Sequence, residues 1–140
     1  DIQVKHCGWN NQKIKRLYNK NITKYNSNDV HEDIITDGLN IEELKGNVEH
    51  YSYHTISEFI IKADRYSTLF ASNNAGKKSS SPVKAFFNGI YSFFRTYILK
   101  QGFRDGYVGL VIAFSHMVTN FYKYIKLYEL NKEFKKWIYL

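Results

Sequence analysis

Polar and apolar positions follow different rules on either side of residue 55. Before it they alternate in short runs broken by Asn, Asp and Gly. Gln12 to Tyr18 alternates as a half-buried strand does, Asn19-Lys20-Asn21 supplies a turn, and Ile22 to Tyr25 resumes the run. After Asn26-Ser27-Asn28-Asp29, the segment Val30 to Ile35 reads as a third strand ended by Asp37-Gly38, with Glu43 to Lys45 and Val48 to Tyr53 as further short strands. Beyond residue 55 the apolar spacing becomes three and four. Thr55 with Glu58 three positions on is a capping-box start, and Ile56, Phe59, Ile60, Ala63, Tyr66 and Phe70 then line one face of a helix reaching about Ala71.

The segment from Ser72 to Ser81 is small, polar and basic, and Ser81-Pro82 starts a second helix, because proline at the first helical position gives up an amide that would lack a partner anyway. From Val83 to Lys100 its apolar side chains, Phe86, Phe87, Ile90, Tyr91 and Phe94 among them, cover more than one stripe, which predicts more than one packing neighbour. Gly102-Phe103-Arg104-Asp105-Gly106 connects to a third helix from about Tyr107 to Tyr128. No Asp, Glu, Lys or Arg occurs from Gly106 to Tyr122, a run just short of the roughly 18 to 20 residues that cross a bilayer. Ser115, His116, Thr119 and Asn120 interrupt it, so a core or interfacial helix is expected, with a spanning one as the alternative. The expected fold is α+β. Residues 1–54 form a short antiparallel or mixed β segment, too small to cover both its faces, and residues 55–140 form three or more aromatic-rich helices.

Composition sharpens this picture. With 140 residues, 44% hydrophobic and 24% charged, the chain is long enough for an ordinary folded domain and too apolar for disorder. Twelve Tyr, ten Phe and two Trp lie mainly in the second half and suit a partly wet surface or a lipid boundary. A formal charge of +7 favours an anionic partner such as a phosphate-bearing ligand, a nucleic acid or an acidic membrane. The single cysteine, Cys7, excludes an internal disulfide framework and reads as a small buried or edge residue. The sequence opens at Asp1 without a signal-peptide pattern or a Met, which reads as a piece of something larger.

Few residues carry candidate chemistry. In Val30-His31-Glu32, Glu32 is the better general base for an acceptor hydroxyl, with His31 orienting a phosphate or a neighbour; consecutive strand residues face opposite sides, so only one can enter a given cleft. His50 and His54 would share a strand face, but the start of the helix breaks that geometry, and without cysteine partners a zinc site is not expected. His50 alone could touch a divalent ion bound to phosphate. Gly76-Lys77-Lys78-Ser79 lacks the earlier glycine and preceding strand of a nucleotide phosphate loop. Among the cations Lys15, Arg16, Lys77, Lys78, Lys84, Arg95, Lys100 and Arg104, the guanidinium of Arg16 stands out as a bidentate grip for a diphosphate.

Five short segments then occur in order: Gly8-Trp9, Lys15-Arg16-Leu17-Tyr18, Val30-His31-Glu32, His50-Tyr51-Ser52-Tyr53 and Gly102-Phe103-Arg104-Asp105-Gly106-Tyr107-Val108-Gly109. Together they resemble the C-terminal half of bacterial family 2 glycosyltransferases of the lipopolysaccharide-core type, over nearly the whole chain. Tyr18 stands where the family more often has Phe, and Arg104 where it has an apolar residue. The resemblance implies the end of a GT-A sheet followed by helices, in an inverting enzyme that moves a sugar from a nucleotide-sugar to a hydroxyl on a lipid-linked or polysaccharide acceptor. It implies Glu32 as the base with His31 beside it, Arg16 and Lys15 as diphosphate contacts, and His50 as a contact to a divalent metal, Mg or Mn. It also implies Arg95, Lys100, Arg104 and Lys123 on the acceptor and membrane side, at the cytoplasmic face of the bacterial inner membrane.

The family's Asp-x-Asp metal motif is absent from this sequence, so turnover would need a nucleotide-binding half that this chain lacks, and the expected protein partner is that half of the parent chain or a second copy in a homo-oligomer. The alternative class is a non-catalytic helical module that meets a membrane surface or another protein. Nucleic acid is not the expected partner, because the rings follow helical stripes rather than a sheet face.

Overall fold

A computed structural model describes residues 3–9, 13–27, 32–46 and 55–138, with side chains through residue 133. It divides into two compact units, residues 11–50 and residues 1–10 with 51–140.

The larger unit is helical. Helix α1 spans Ile56–Asn74, α2 spans Pro82–Phe94 and α3 spans Gly106–Ile138. The Thr55 hydroxyl accepts from the Glu58 amide at 3.2 Å and the Ser81 hydroxyl from the Lys84 amide at 3.1 Å, so both expected caps form. At 33 residues, α3 is about 50 Å long. It packs against both α1 and α2, which do not touch each other. The side chains at these contacts are small. Ser67 and Ala71 of α1, Ala85 and Gly89 of α2, and Ala113 of α3 are buried, alongside Ile112 and Leu127. Small residues bring helix backbones close, and at Gly89 an added Cβ would lie 3.1 Å from the Met117 carbonyl oxygen.

This arrangement revises the expected stripes. On α1 the inward positions are Phe59, Ala63, Ser67, Phe70, Ala71 and Asn74, while Ile56, Ile60 and Tyr66 are exposed. The second neighbour predicted for α2 is absent among the described residues, leaving Phe86, Phe87, Ile90, Tyr91 and Phe94 exposed along it. Two of the polar residues inside the charge-free run of α3, His116 and Asn120, face α2 and the turn that ends it. Asn120 donates to the Ser92 hydroxyl at 2.8 Å, and the His116 ring meets the Thr96 hydroxyl at 3.0 Å. Among the described residues no helix is long and apolar enough to cross a membrane.

Helix α2 widens after Phe94 into a π-helical turn, Arg95–Leu99, closed by the Lys100 amide donating to the Arg95 carbonyl at 2.9 Å. Gln101, at φ 56, then reverses the chain into a 3-10 turn, Gly102–Asp105, that leads into α3. Glycine is required by space here. A Cβ on Gly102 would lie 2.9 Å from both the Cys7 sulfur and the Thr96 carbonyl oxygen, and one on Gly109 would run into the Gly102 carbonyl.

The smaller unit overturns the expected α+β fold class. No strand forms among the described residues, which contain only an isolated antiparallel bridge between Tyr25 and Ile34. The turn at Asn19 forms, with the Ile22 and Thr23 amides donating to the Asn19 carbonyl, but the arms expected to flank it do not pair. Residues 24–26 pair with 33–35 instead. The Ile35 amide donates to the Lys24 carbonyl at 3.1 Å and the Asn26 amide to the Asp33 carbonyl at 2.9 Å. Gly38, at φ +74, occupies the third position of a Thr36–Leu39 turn, as expected for Asp37-Gly38. Ile34 is the buried apolar residue of this unit, while Ile14, Leu17, Ile22, Ile41 and Leu44 are exposed. Alternation alone cannot hold a sheet that has no second layer to bury its apolar face. The strand expected at 48–53 lies outside the described residues.

Replacing Gly109 with Ala should lower stability by about 3 kcal/mol, because the new Cβ meets backbone that cannot yield as a side chain does. The midpoint of denaturant unfolding followed by helical circular dichroism measures the loss.

Candidate functional site

In the smaller unit, two of the segments singled out in the sequence come together. Lys15 Nζ donates to Asp33 Oδ2 at 2.8 Å, to the Ile34 carbonyl at 3.3 Å and to Thr36 Oγ1 at 3.3 Å. Its three protons are thereby engaged, and Lys15 ties its own segment to the one that follows Glu32. The hydrogen bonds from Lys15 and from the Ile34 amide hold the Asp33 carboxyl below the usual range. Arg16, the next residue, is exposed, as neighbours on an extended chain point opposite ways. Glu32 is exposed as well. His31 and His50 lie outside the described residues, and among the described ones no group of three His, Cys, Asp or Glu side chains could hold a metal.

In the larger unit the two turns after α2 form a corner that receives the N-terminal segment. Asp105 is its centre. Its carboxylate, with the side chain only 5% exposed, accepts from the His6 amide at 2.8 Å, from His6 Nδ1 at 2.7 Å and from the Lys5 amide at 3.3 Å. A carboxylate only accepts, so the His6 proton sits on Nδ1. Burial works against the charge on Asp105, but the three hydrogen bonds outweigh it and hold the carboxyl below its ordinary range. Cys7 follows at φ 61, its amide donating to the Lys100 carbonyl at 3.1 Å and its thiol sealed under Gly102. Burial, together with the charge of Asp105 and the hydrogen bond to it, pushes the Cys7 thiol up to about 11, with Lys100 opposing. It is an inert thiol, as its small buried reading anticipated.

Under this corner His116 bonds to Thr96 and lies 6.2 Å, centroid to centroid, from the Trp9 ring. Burial first, then the charges of Lys100 and Lys123, lower the His116 ring to about 4, so it is neutral at pH 7. The π-helical turn explains why Thr96 reaches it. The wider turn rotates Thr96 inward, whereas Arg95 stays exposed.

No protein-family model matches the chain, and no solved structure matches it significantly. The site must be read from its own geometry.

The four cations assigned to an acceptor side do not form one cluster. Lys100 and Arg104 belong to the corner, with Arg95 just before it; Arg104 is exposed and donates to Gln101 Oε1 at 2.8 Å, so it does not disturb the packing beneath. Lys123 lies 17 residues along α3 from Gly106, about 25 Å away. Sequence reasoning gave His6 and Thr96 no place, read His116 as an interruption of the apolar run and Asp105 as part of a helix junction, and assigned none of them a role in a site. The glycines bracketing Asp105 were the available signal, but nothing local indicated that its partner would be a histidine about a hundred residues earlier.

Two acid-sensitive steps in stability follow. Between about pH 6.5 and 4 the unfolded chain takes up a proton on this histidine that the buried ring refuses, so its contribution is full above about pH 6.5 and is lost as pH falls towards about 4. The depressed Asp105 carboxyl acts lower, its contribution being lost only as pH falls below the ordinary aspartate range. Unfolding free energies measured from pH 7 to 3 should flatten in the upper window for His116→Gln, while Asp105→Asn should cost about 2 kcal/mol at pH 7 and remove the lower step. Separately, a thiol reagent at pH 8 should label Cys7 only after unfolding in the native protein, and measurably faster in Asp105→Asn.

Proposed function

We propose that this chain supplies the acceptor side of an inverting glycosyltransferase that moves a sugar from a nucleotide-sugar to a lipid-linked or cell-envelope polysaccharide acceptor at a bacterial membrane surface. The observation that carries the reading is the clasp at Asp105. The first and last of the five segments, Gly8-Trp9 and Gly102 to Gly109, are nearly a hundred residues apart, yet they pack as one corner. Their co-occurrence in one sequence thus has a shared structural reason. The pairing of Lys15 with Asp33 likewise joins the second segment to the neighbourhood of the third.

In this reading the Glu32 carboxylate takes the proton of the acceptor hydroxyl. The freed oxygen attacks the anomeric carbon from the face opposite the nucleoside diphosphate, which leaves with the bonding electron pair, and Arg16 offsets charge on the departing diphosphate. The exposure of both side chains suits contact with large substrates. Among the described residues no metal-holding group fits the divalent ion that the resemblance implies, so no step is assigned to one. A second reading, a non-catalytic helical module for a membrane surface or a protein, draws on the exposed aromatic face of α2.

The product of the complete reading frame, including any sequence that precedes Asp1, should release nucleoside diphosphate when given nucleotide-sugar and membrane extract. Glu32→Gln should cut that release by about 100- to 10,000-fold without altering the circular dichroism spectrum. Absence of release in the unmodified protein would favour the non-catalytic module.

A further inference from the structure

The loop between α1 and α2 is held to α3 rather than left loose. Asn131 Oδ1 accepts from the Gly76 amide at 2.9 Å, Asn131 Nδ2 donates to the Lys78 carbonyl at 2.8 Å, and the Ser80 hydroxyl donates to the Tyr124 carbonyl at 2.7 Å. These three bonds fix the backbone of a lysine-rich segment against a pair of aromatic rings, Phe70 and Tyr124, whose centroids are 5.4 Å apart.

Cations converge on that pair. Lys78 Nζ and Lys123 Nζ each lie 5.6 Å from the Phe70 centroid, and Lys84 Nζ lies 5.7 Å from that of Tyr124. Ring faces attract cations but carry no net charge, so they gather the three lysines without neutralising them. Lys126 nearby is different, because it is paired with Asp64 at 2.6 Å. Among the described residues, Lys78, Lys84 and Lys123 meet no carboxylate. Lys84 also donates to the Ser79 carbonyl at 2.9 Å, which places its ammonium beside the loop. Lys123 is half-buried, and loss of water alone pulls it below the ordinary lysine range.

Three ammonium groups set around one ring pair, none of them paired with a carboxylate among the described residues, offer positive charge that a bound anion would meet. We infer that Lys78, Lys84 and Lys123, set around the Phe70–Tyr124 ring pair, bind a phosphate group carried either by a lipid headgroup or by a small soluble phosphate. The chemistry fits that class. Lysines act as mobile point charges suited to a compact multivalent oxyanion, and Lys78 and Lys84 are exposed while Lys123 is half-buried. This is not a nucleotide phosphate loop, which needs a preceding strand and a glycine-rich turn. The site is argued from these side chains alone and stands whether or not the chain belongs to a sugar transferase.

Two arms distinguish the phosphate source. In one, the full chain is sedimented with vesicles of phosphatidylcholine containing phosphatidylglycerol; in the other, inorganic phosphate or pyrophosphate is titrated while lysine side-chain resonances are followed by NMR. The exposed pair is replaced as Lys78→Gln with Lys84→Gln, which leaves the buried contacts untouched, and the control is Lys20→Gln with Lys45→Gln in the other unit, an equal change in net charge. Binding in either arm that falls about tenfold or more in the first variant, survives in the control and returns with Lys78→Arg and Lys84→Arg supports the site. Equal losses in both variants reduce the effect to net charge and overturn it. So does the absence of binding in both arms, or binding to a single-stranded oligonucleotide alone.

Discussion

The larger unit depends on one constraint, the use of α3 as the one helical wall, among the described residues, for two helices that do not meet each other. A helix packed on a single partner keeps stability only if the contact is close, and closeness comes from removing side-chain bulk. Ala85 and Gly89 face α3, Ser67 and Ala71 do the same from α1, and Gly109 lies against the Gly102 carbonyl. With so little bulk between the backbones, polar side chains can span the gap. Asn120 reaches Ser92 and His116 reaches Thr96, so hydroxyl, amide and imidazole are satisfied inside an otherwise apolar interface. The same economy has a consequence on the outside. The aromatic side of α2 has no neighbour among the described residues, and its rings are left as surface.

Charge is handled differently at the two ends of α3. At its start a single carboxylate, Asp105, gathers donors from Lys5 and His6 and so fastens the N-terminal segment over the turn. A buried charge surrounded by hydrogen-bond donors is a strong and directional fastening, and it leaves the neighbouring thiol without reason to ionise. Further along, three ammonium groups gather on aromatic faces, and among the described residues no carboxylate pairs with them. The first arrangement is complete in itself, whereas the second leaves its charge unpaired by any described carboxylate.

Much of the helical half was legible residue by residue. Thr55 with Glu58, and Ser81 with Pro82, marked two helix starts that formed as read, because a cap is a contact over three residues and depends on nothing distant. The Gly102–Gly106 junction was legible for the same reason, although the π-helical turn before it was not. The β-rich reading of residues 1–54 failed at a different point. Its turns at Asn19 and Gly38 formed, but alternation specifies only which side a residue faces, and pairing requires an apolar partner layer that this unit does not provide. The stripe on α1 was legible only in part: Phe59, Ala63 and Phe70 face inward as read, but Ile56, Ile60 and Tyr66 are exposed and the closest contact falls on Ser67 and Ala71, whose small size suits it.

By itself, then, the sequence determined the local matters: where helices begin, where the chain turns, that Cys7 is alone, and that positive charge and aromatic rings share the second half. Only the tertiary structure decided which residues became neighbours, joining His6 to Asp105, Thr96 to His116, and Lys78, Lys84 and Lys123 to one pair of rings. The physical reason is one of range. Caps and turns are fixed by bonds spanning a few residues, whereas a buried carboxylate or a cation cluster takes its character from groups that the chain brings together only when it closes on α3.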